Sequence, residues 1–140
     1  MTVSLESMTA RVRALLGDEA GLIWPAERVE GLLRLALGEL NHAAGEGFTL
    51  LGLDGAQATS LPAGAESLLA AGATAWGLAQ RVNARSEGVD ASRLAVLLPW
   101  VRELRAQFTA GLERLRQDHL AQAETPPYSG WEFPLEEGTE

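Results

Sequence analysis

Hydrophobic residues recur at helical spacing in four separate stretches of the chain. The first stretch follows Ser4, a favourable N-cap residue, and ends in the glycine-rich and acidic run that starts at Gly17. The second follows Pro25, which suits the first position of a helix, and is stopped by Gly45 and Gly47. It carries charged residues opposite an apolar stripe, which consists of Val29, Leu32, Leu33, Ala36, Leu37 and Leu40. Both stretches predict amphipathic helices.

The third and fourth stretches predict two longer helices. The third, roughly Ala65–Arg85, is rich in alanine and glycine, which permits close approach of neighbouring helices. The fourth runs from about Ala91 to about Ala123 and would reach roughly 50 Å at 1.5 Å per residue. Pro99 removes a backbone donor there, so we expect a kink or a break. Because this helix is longer than such a small globule needs, we expect part of it to project.

Residues 48–60 separate the second and third helices. The pair Asp54-Gly55 favours a tight turn in which both residues have positive φ, as in a short β-hairpin. The segment after this turn is only weakly apolar, so an irregular loop fits the sequence equally well. Both alternatives remain open at this point.

The character of the chain changes after residue 123. Residues 124–140 contain three prolines and five glutamates without a basic residue, yet they also contain four large apolar side chains: Tyr128, Trp131, Phe133 and Leu135. Solvated tails are usually poor in aromatic residues. We therefore expect an extended arm that docks in a groove, on its own domain or on a neighbour. The expected fold is mainly α, a four-helix bundle over residues 1–123 with one long C-terminal helix, a short β-hairpin or loop insertion, and the arm over residues 124–140.

Composition narrows the possible functions. The chain has 140 residues, of which 46% are hydrophobic, enough for one domain with a real core. It has no cysteine, no apolar run long enough to cross a membrane and no secretory leader, so we expect a cytoplasmic protein or an assembly built in a cytoplasm. The net charge of −8 argues against binding to a nucleic-acid backbone, which needs a basic footprint.

No arrangement of residues indicates catalysis, a metal or a cofactor. Glu39 and His42 form a Glu-x-x-His pair, but a helical di-metal site needs two such pairs, and the other histidine, His119, follows Arg116 at that spacing. Glycine-rich phosphate loops and a Gly-x-Ser-x-Gly elbow are absent from the sequence. The carboxylate pair at Asp18 and Glu19 lies in a loop, where we expect no desolvation that would raise a carboxyl pKa. We therefore expect no enzymatic activity.

The long helix carries candidate partner-binding residues at Trp100, Arg102 and Arg105. The apolar residues around them have ordinary core periodicity, and the arginines fit a solvated face paired with nearby glutamates. The alternative is a basic stripe that meets an acidic partner surface. Both interpretations remain open from the sequence.

The order of these elements resembles the head–tail connector (adaptor) proteins of tailed bacteriophages. The resemblance covers about Leu5 to Ala123, and it is carried by the following pieces: Trp24-Pro25-Ala26-Glu27, the stripe from Leu32 to Leu40, Leu61-Pro62, and the small-residue helix from Ala71 to Arg81. It implies a helical subunit that forms a ring, commonly of twelve copies, beneath the portal protein. It also implies a C-terminal arm that grips the portal or an adjacent subunit, a role that Tyr128, Trp131, Phe133 and Leu135 fit.

On this basis we expect a structural protein at the head–tail interface of a virion, assembled in the host cytoplasm. Its expected partners are further copies of itself, the portal and downstream tail or stopper proteins, with DNA passing through the channel without specific binding. An acidic or neutral channel lining would repel phosphates and ease that passage. The alternative is a small helical bacterial interaction or regulatory domain that acts as a dimer. An enzyme or small-molecule binder is the least favoured class.

Overall fold

The computed structural model describes residues 3–85 and 91–122. It contains four helices there and no strand: α1 (Leu5–Leu16), α2 (Ala26–Ala44), α3 (Ala65–Arg85) and α4 (Ala91–Gln122). The prediction of a mainly helical fold with four helices is confirmed. No helix in the described part of the chain combines the length and hydropathy needed to cross a membrane.

Local capping groups set the ends of the first two helices. Ser4 caps α1 through a reciprocal pair of hydrogen bonds with Ser7, in which the Ser7 N–H donates to Ser4 Oγ at 3.2 Å and the Ser4 N–H donates to Ser7 Oγ at 2.9 Å. Gly17 and Gly45 end α1 and α2 with left-handed φ values of 72° and 65°. Pro25 occupies the N-cap position of α2, one residue before the helical position predicted for it, because its ψ of 155° is extended.

The four helices alternate in direction, and α2 and α3 form the centre of the bundle. Helix α1 contacts both central helices, and so does α4. The described residues of α1 and α4 do not contact each other. Consequently α1 and α4 lie at opposite corners of the bundle. One end of the bundle holds the connection from α1 to α2, the last turns of α3 and the first turns of α4. We call it the α1–α2 end; the segment 48–60 lies at the other end.

Small residues on α3 allow the neighbouring helices to approach closely. A Cβ on Gly72 would overlap the Phe108 ring of α4, and one on Gly77 would lie 3.0 Å from Leu32 Cδ1 and 3.3 Å from Trp24 Cη2. The surrounding core contains these side chains, all buried: Val12, Trp24, Val29, Leu33, Leu40, Leu50, Leu69, Leu78, Val101 and Phe108. Side-chain packing at these contacts is what fixes α4 against α3.

Two glycine-to-alanine substitutions should therefore have opposite effects on stability. Gly72→Ala places a methyl group in the Phe108 ring, and overpacking of this kind costs about 1–3 kcal/mol. Gly38→Ala, in the middle of α2, meets no atom within 4 Å and should add about 1 kcal/mol because alanine favours helix. Urea unfolding of the two variants measures both changes. Equal free energies of unfolding in the two variants would contradict this packing.

The segment 48–60 is a loop insertion whose two sides are joined by both backbone and side-chain hydrogen bonds. Its turn at Asp54-Gly55 has positive φ at both residues, and the Ala56 N–H donates to the Leu53 carbonyl at 3.0 Å. On either side of the turn, however, hydroxyl groups of Ser60 and Thr59 accept from the backbone N–H groups of Thr49 and Leu51. The Leu5 N–H donates to the Leu51 carbonyl at 2.8 Å, which ties the loop to the start of α1.

Candidate functional site

Glu39, one of the residues that raised the question of metal chemistry, has a structural partner. The Trp76 indole N–H donates to Glu39 Oε1 at 2.5 Å, and the Arg105 guanidinium lies 5.5 Å from the centre of the Trp76 ring. His42 is exposed. In residues 3–85 and 91–122 there is no group of three or more histidine, aspartate or glutamate side chains that could hold a metal ion.

Asp18 organises the connection between α1 and α2. It is buried, and its carboxylate accepts hydrogen bonds from three successive backbone N–H groups, those of Leu22 (2.9 Å), Ile23 (3.0 Å) and Trp24 (2.7 Å). Arg13 completes the connection by donating to the Trp24 carbonyl at 3.2 Å. The loop therefore has a fixed backbone conformation.

Asp18 is buried, which was not expected for a loop residue, but its pKa is not raised, as the sequence predicted. Burial of the Asp18 carboxyl by itself raises its pKa, but the three N–H donors and the charge of Arg13 outweigh this, so the pKa lies below its ordinary value of 3.8. A carboxyl with a lowered pKa stays ionised and cannot act as a general acid near neutral pH. The available sequence signal was an acidic residue a few positions before a helix, where such side chains commonly accept backbone hydrogen bonds.

Replacing Asp18 should produce a pH-dependent loss of stability. Because its pKa is lower in the folded chain, the carboxylate stabilises the fold above pH about 4, and this contribution disappears as pH falls through the folded pKa. We expect Asp18→Asn to lower Tm at neutral pH, with the difference from the wild type shrinking as the pH is lowered below that point. Thermal unfolding followed from pH 7 to pH 3 checks this. A Tm difference that stays constant with pH would contradict the role of the charge.

This rigid connection presents apolar side chains to solvent. Leu22 is 87% exposed, and Ile23 and Leu15 are about half-exposed. We call these three residues the loop patch. The backbone that carries Leu22 and Ile23 is already held by Asp18, so little conformational entropy remains to be lost when a partner covers them.

A second exposed apolar surface lies at the start of α4. Val96 is 75% exposed and Trp100 45%, and because they are four positions apart they share one face of the helix. We call these residues the α4 patch. The helix continues through Pro99, so it is not broken there. Loss of the Pro99 N–H leaves a carbonyl one turn earlier without its helical partner, which is tolerable because this part of the helix is exposed.

The two patches lie near the same end of the bundle, one on the connection between α1 and α2 together with Leu15 of α1, the other on α4. Leu15 of the loop patch lies on α1, and the described residues of α1 and α4 do not touch. A subunit that has two different apolar patches can bind one further copy at each patch.

The three residues proposed on the long helix, Trp100, Arg102 and Arg105, are all exposed. Arg105 packs over the Trp76 ring, so part of its binding capacity is used inside the chain. Sequence reasoning missed Leu22 and Ile23, because an apolar pair before a helix is usually buried as a hydrophobic staple.

A groove runs between α3, the second half of α4 and the loop insertion. It has a volume of about 720 Å³, an apolar floor and charged edges; its floor includes Phe48, Pro62, Leu68, Ala71 and Leu115. Its edge includes Arg114 and His119 together with Glu46 and Asp118. Gln122, the last residue of α4, also lines it. We call this the α3–α4 groove.

The predicted arm residues Tyr128, Trp131, Phe133 and Leu135 lie outside the described residues. Comparisons with protein-family models, with curated proteins and with solved structures find no match to this chain.

Proposed function

We propose that this chain is a structural subunit of a virion, a ring-forming head–tail adaptor that docks beneath the portal and connects the capsid to the tail. The observation that carries the proposal is the presence of two different exposed apolar patches, the loop patch and the α4 patch. When one face of each subunit binds a different face of the next subunit and the rotation between them closes, the product is a ring. A symmetric dimer needs only one such face.

The sequence of residues 124–140 supports the same proposal. Aromatic residues are enriched among the side chains that dominate protein–protein binding energies. In the arm they accompany five glutamates and no basic residue, a composition suited to a partner surface with an apolar floor and a basic edge. We propose that the arm supplies contacts within the ring or to the portal.

The proposed role includes no chemical step. The subunit contributes shape and contact surface, while DNA passes through the channel without specific binding. The overall acidity of the chain, −8 in formal charge, supports a lining that does not retain phosphates. A strongly basic lining in the assembled ring would contradict this part of the proposal.

Purified portal protein provides the test. Full-length subunit mixed with portal should elute in size-exclusion chromatography with light scattering as a complex that contains many copies of the subunit. A dimer that ignores portal would favour the alternative, a helical interaction or regulatory domain. A monomer without portal is compatible with both functions, so the mixture is the informative sample.

A further inference from the structure

The α3–α4 groove begins where the described chain ends. Gln122 lines the groove, and 18 residues follow it in the sequence. The first of them include Thr125-Pro126-Pro127, and both the residue before a proline and proline itself favour extended backbone. At about 3.1 Å per residue, Tyr128 would then lie roughly 19 Å beyond Gln122. An extended segment of this length would let the aromatic residues reach beyond the groove of their own chain.

The chemistry of the groove matches the chemistry of the arm. Its apolar floor, which includes Leu68, Ala71 and Leu115, can accept aromatic rings. Arg114 on its edge has no ion-pair partner among the described residues, so it can pair with a glutamate of the arm. Glu46 and Asp118 also line the groove, and their carboxylates would repel the glutamates of the arm. We therefore expect the pairing on the side of Arg114 and His119.

We propose that residues 124–140 of one copy bind in the α3–α4 groove of the next copy. This inference rests on the ring-forming role proposed above and adds the surface that receives the arm. The occupant is the arm of this same chain, and its length is sufficient: 18 extended residues span up to about 60 Å.

Because the chain has no cysteine, single cysteines can report the contact in the full-length protein. Ser67, exposed on the groove, and Ser129, within the arm, are both replaced conservatively as Ser67→Cys and Ser129→Cys. Mixed single variants treated with a short bismaleimide should give a cross-linked dimer. A double variant should give a ladder of multimers.

A matched control moves the first cysteine to the outer face of α4. Ala106 is exposed and does not line the groove, so Ala106→Cys paired with Ser129→Cys should cross-link at least tenfold less. Ala71→Trp, which fills the groove, should reduce the Ser67–Ser129 product by a similar factor. Thermal unfolding verifies that each variant is folded.

Two outcomes would overturn the inference: cross-linking of the double variant within one chain, or a yield no higher than that of the Ala106 control. Assembly with portal is scored separately by native mass. Rings without the cross-link would refute the groove and leave the adaptor function standing. The cross-link without rings on portal would refute the adaptor function while the arm-to-groove contact stands.

Discussion

Deleting residues 125–140 should abolish assembly on portal while leaving the four helices folded. The buried core lies in the helices, in the connection between α1 and α2 and in the loop before α3, with Trp24, Leu69 and Phe108 among its members. Removing the arm therefore should leave circular dichroism and Tm close to those of the full chain. The arm's aromatic residues, in contrast, are of the type that contributes 2 kcal/mol or more each at the centre of an interface, about 30-fold in affinity.

A shorter deletion provides the control. Removal of residues 136–140 takes away three glutamates and keeps Tyr128, Trp131 and Phe133, so portal assembly should persist with at most a modest loss. The triple variant Tyr128→Ala, Trp131→Ala and Phe133→Ala should behave like the long deletion. If the long deletion unfolds the helices, the arm belongs to the core and its proposed role at an interface is wrong.

Charged substitutions in the two patches should each stop ring formation, and mixing them should restore one contact. Leu22→Asp disables the loop patch and Trp100→Asp disables the α4 patch; both side chains are exposed, so neither change should unfold the subunit. A carboxylate buried in an apolar contact without a partner is costly enough to prevent it. In the mixture, the loop patch of the Trp100→Asp variant can bind the α4 patch of the Leu22→Asp variant. No further copy can then be added through the patches.

Native mass spectrometry distinguishes these species. We expect no closed rings from either variant alone and a one-to-one complex from the mixture, because each partner keeps one of the two patches intact. Leu120→Asp, at a residue of α4 that is 44% exposed at the other end of the bundle, is the matched control and should leave rings intact. Two results would exclude contact between the two patches: rings formed by either patch variant alone, or a mixture in which no complex of the two variants forms.

Local sequence signals were sufficient to predict the helices. The bounds of α3 agree with the predicted Ala65–Arg85, and Ser4 caps α1 as expected. These features depend on periodicity and capping, which involve residues a few positions apart. The turn and loop at residues 48–60 were left open because hydroxyl groups distant in sequence, those of Thr59 and Ser60, decide how the segment is paired.

Burial was harder to predict than helicity. Leu15 and Leu98 match the helical stripes of α1 and α4, yet they are 45% and 36% exposed. Each of these outer helices packs against only the two central helices, so part of its apolar stripe remains uncovered. Which part is uncovered depends on tertiary packing. For the same reason the sequence did not single out Leu22, Ile23 or the α3–α4 groove.

We propose that many copies of this chain together form one head–tail adaptor ring. Native mass spectrometry of the full-length subunit with the portal protein of the same virion tests it most directly. The account predicts a closed complex in which many subunits, in a fixed number, sit on each portal. A subunit that remains a dimer, with or without portal, would contradict it.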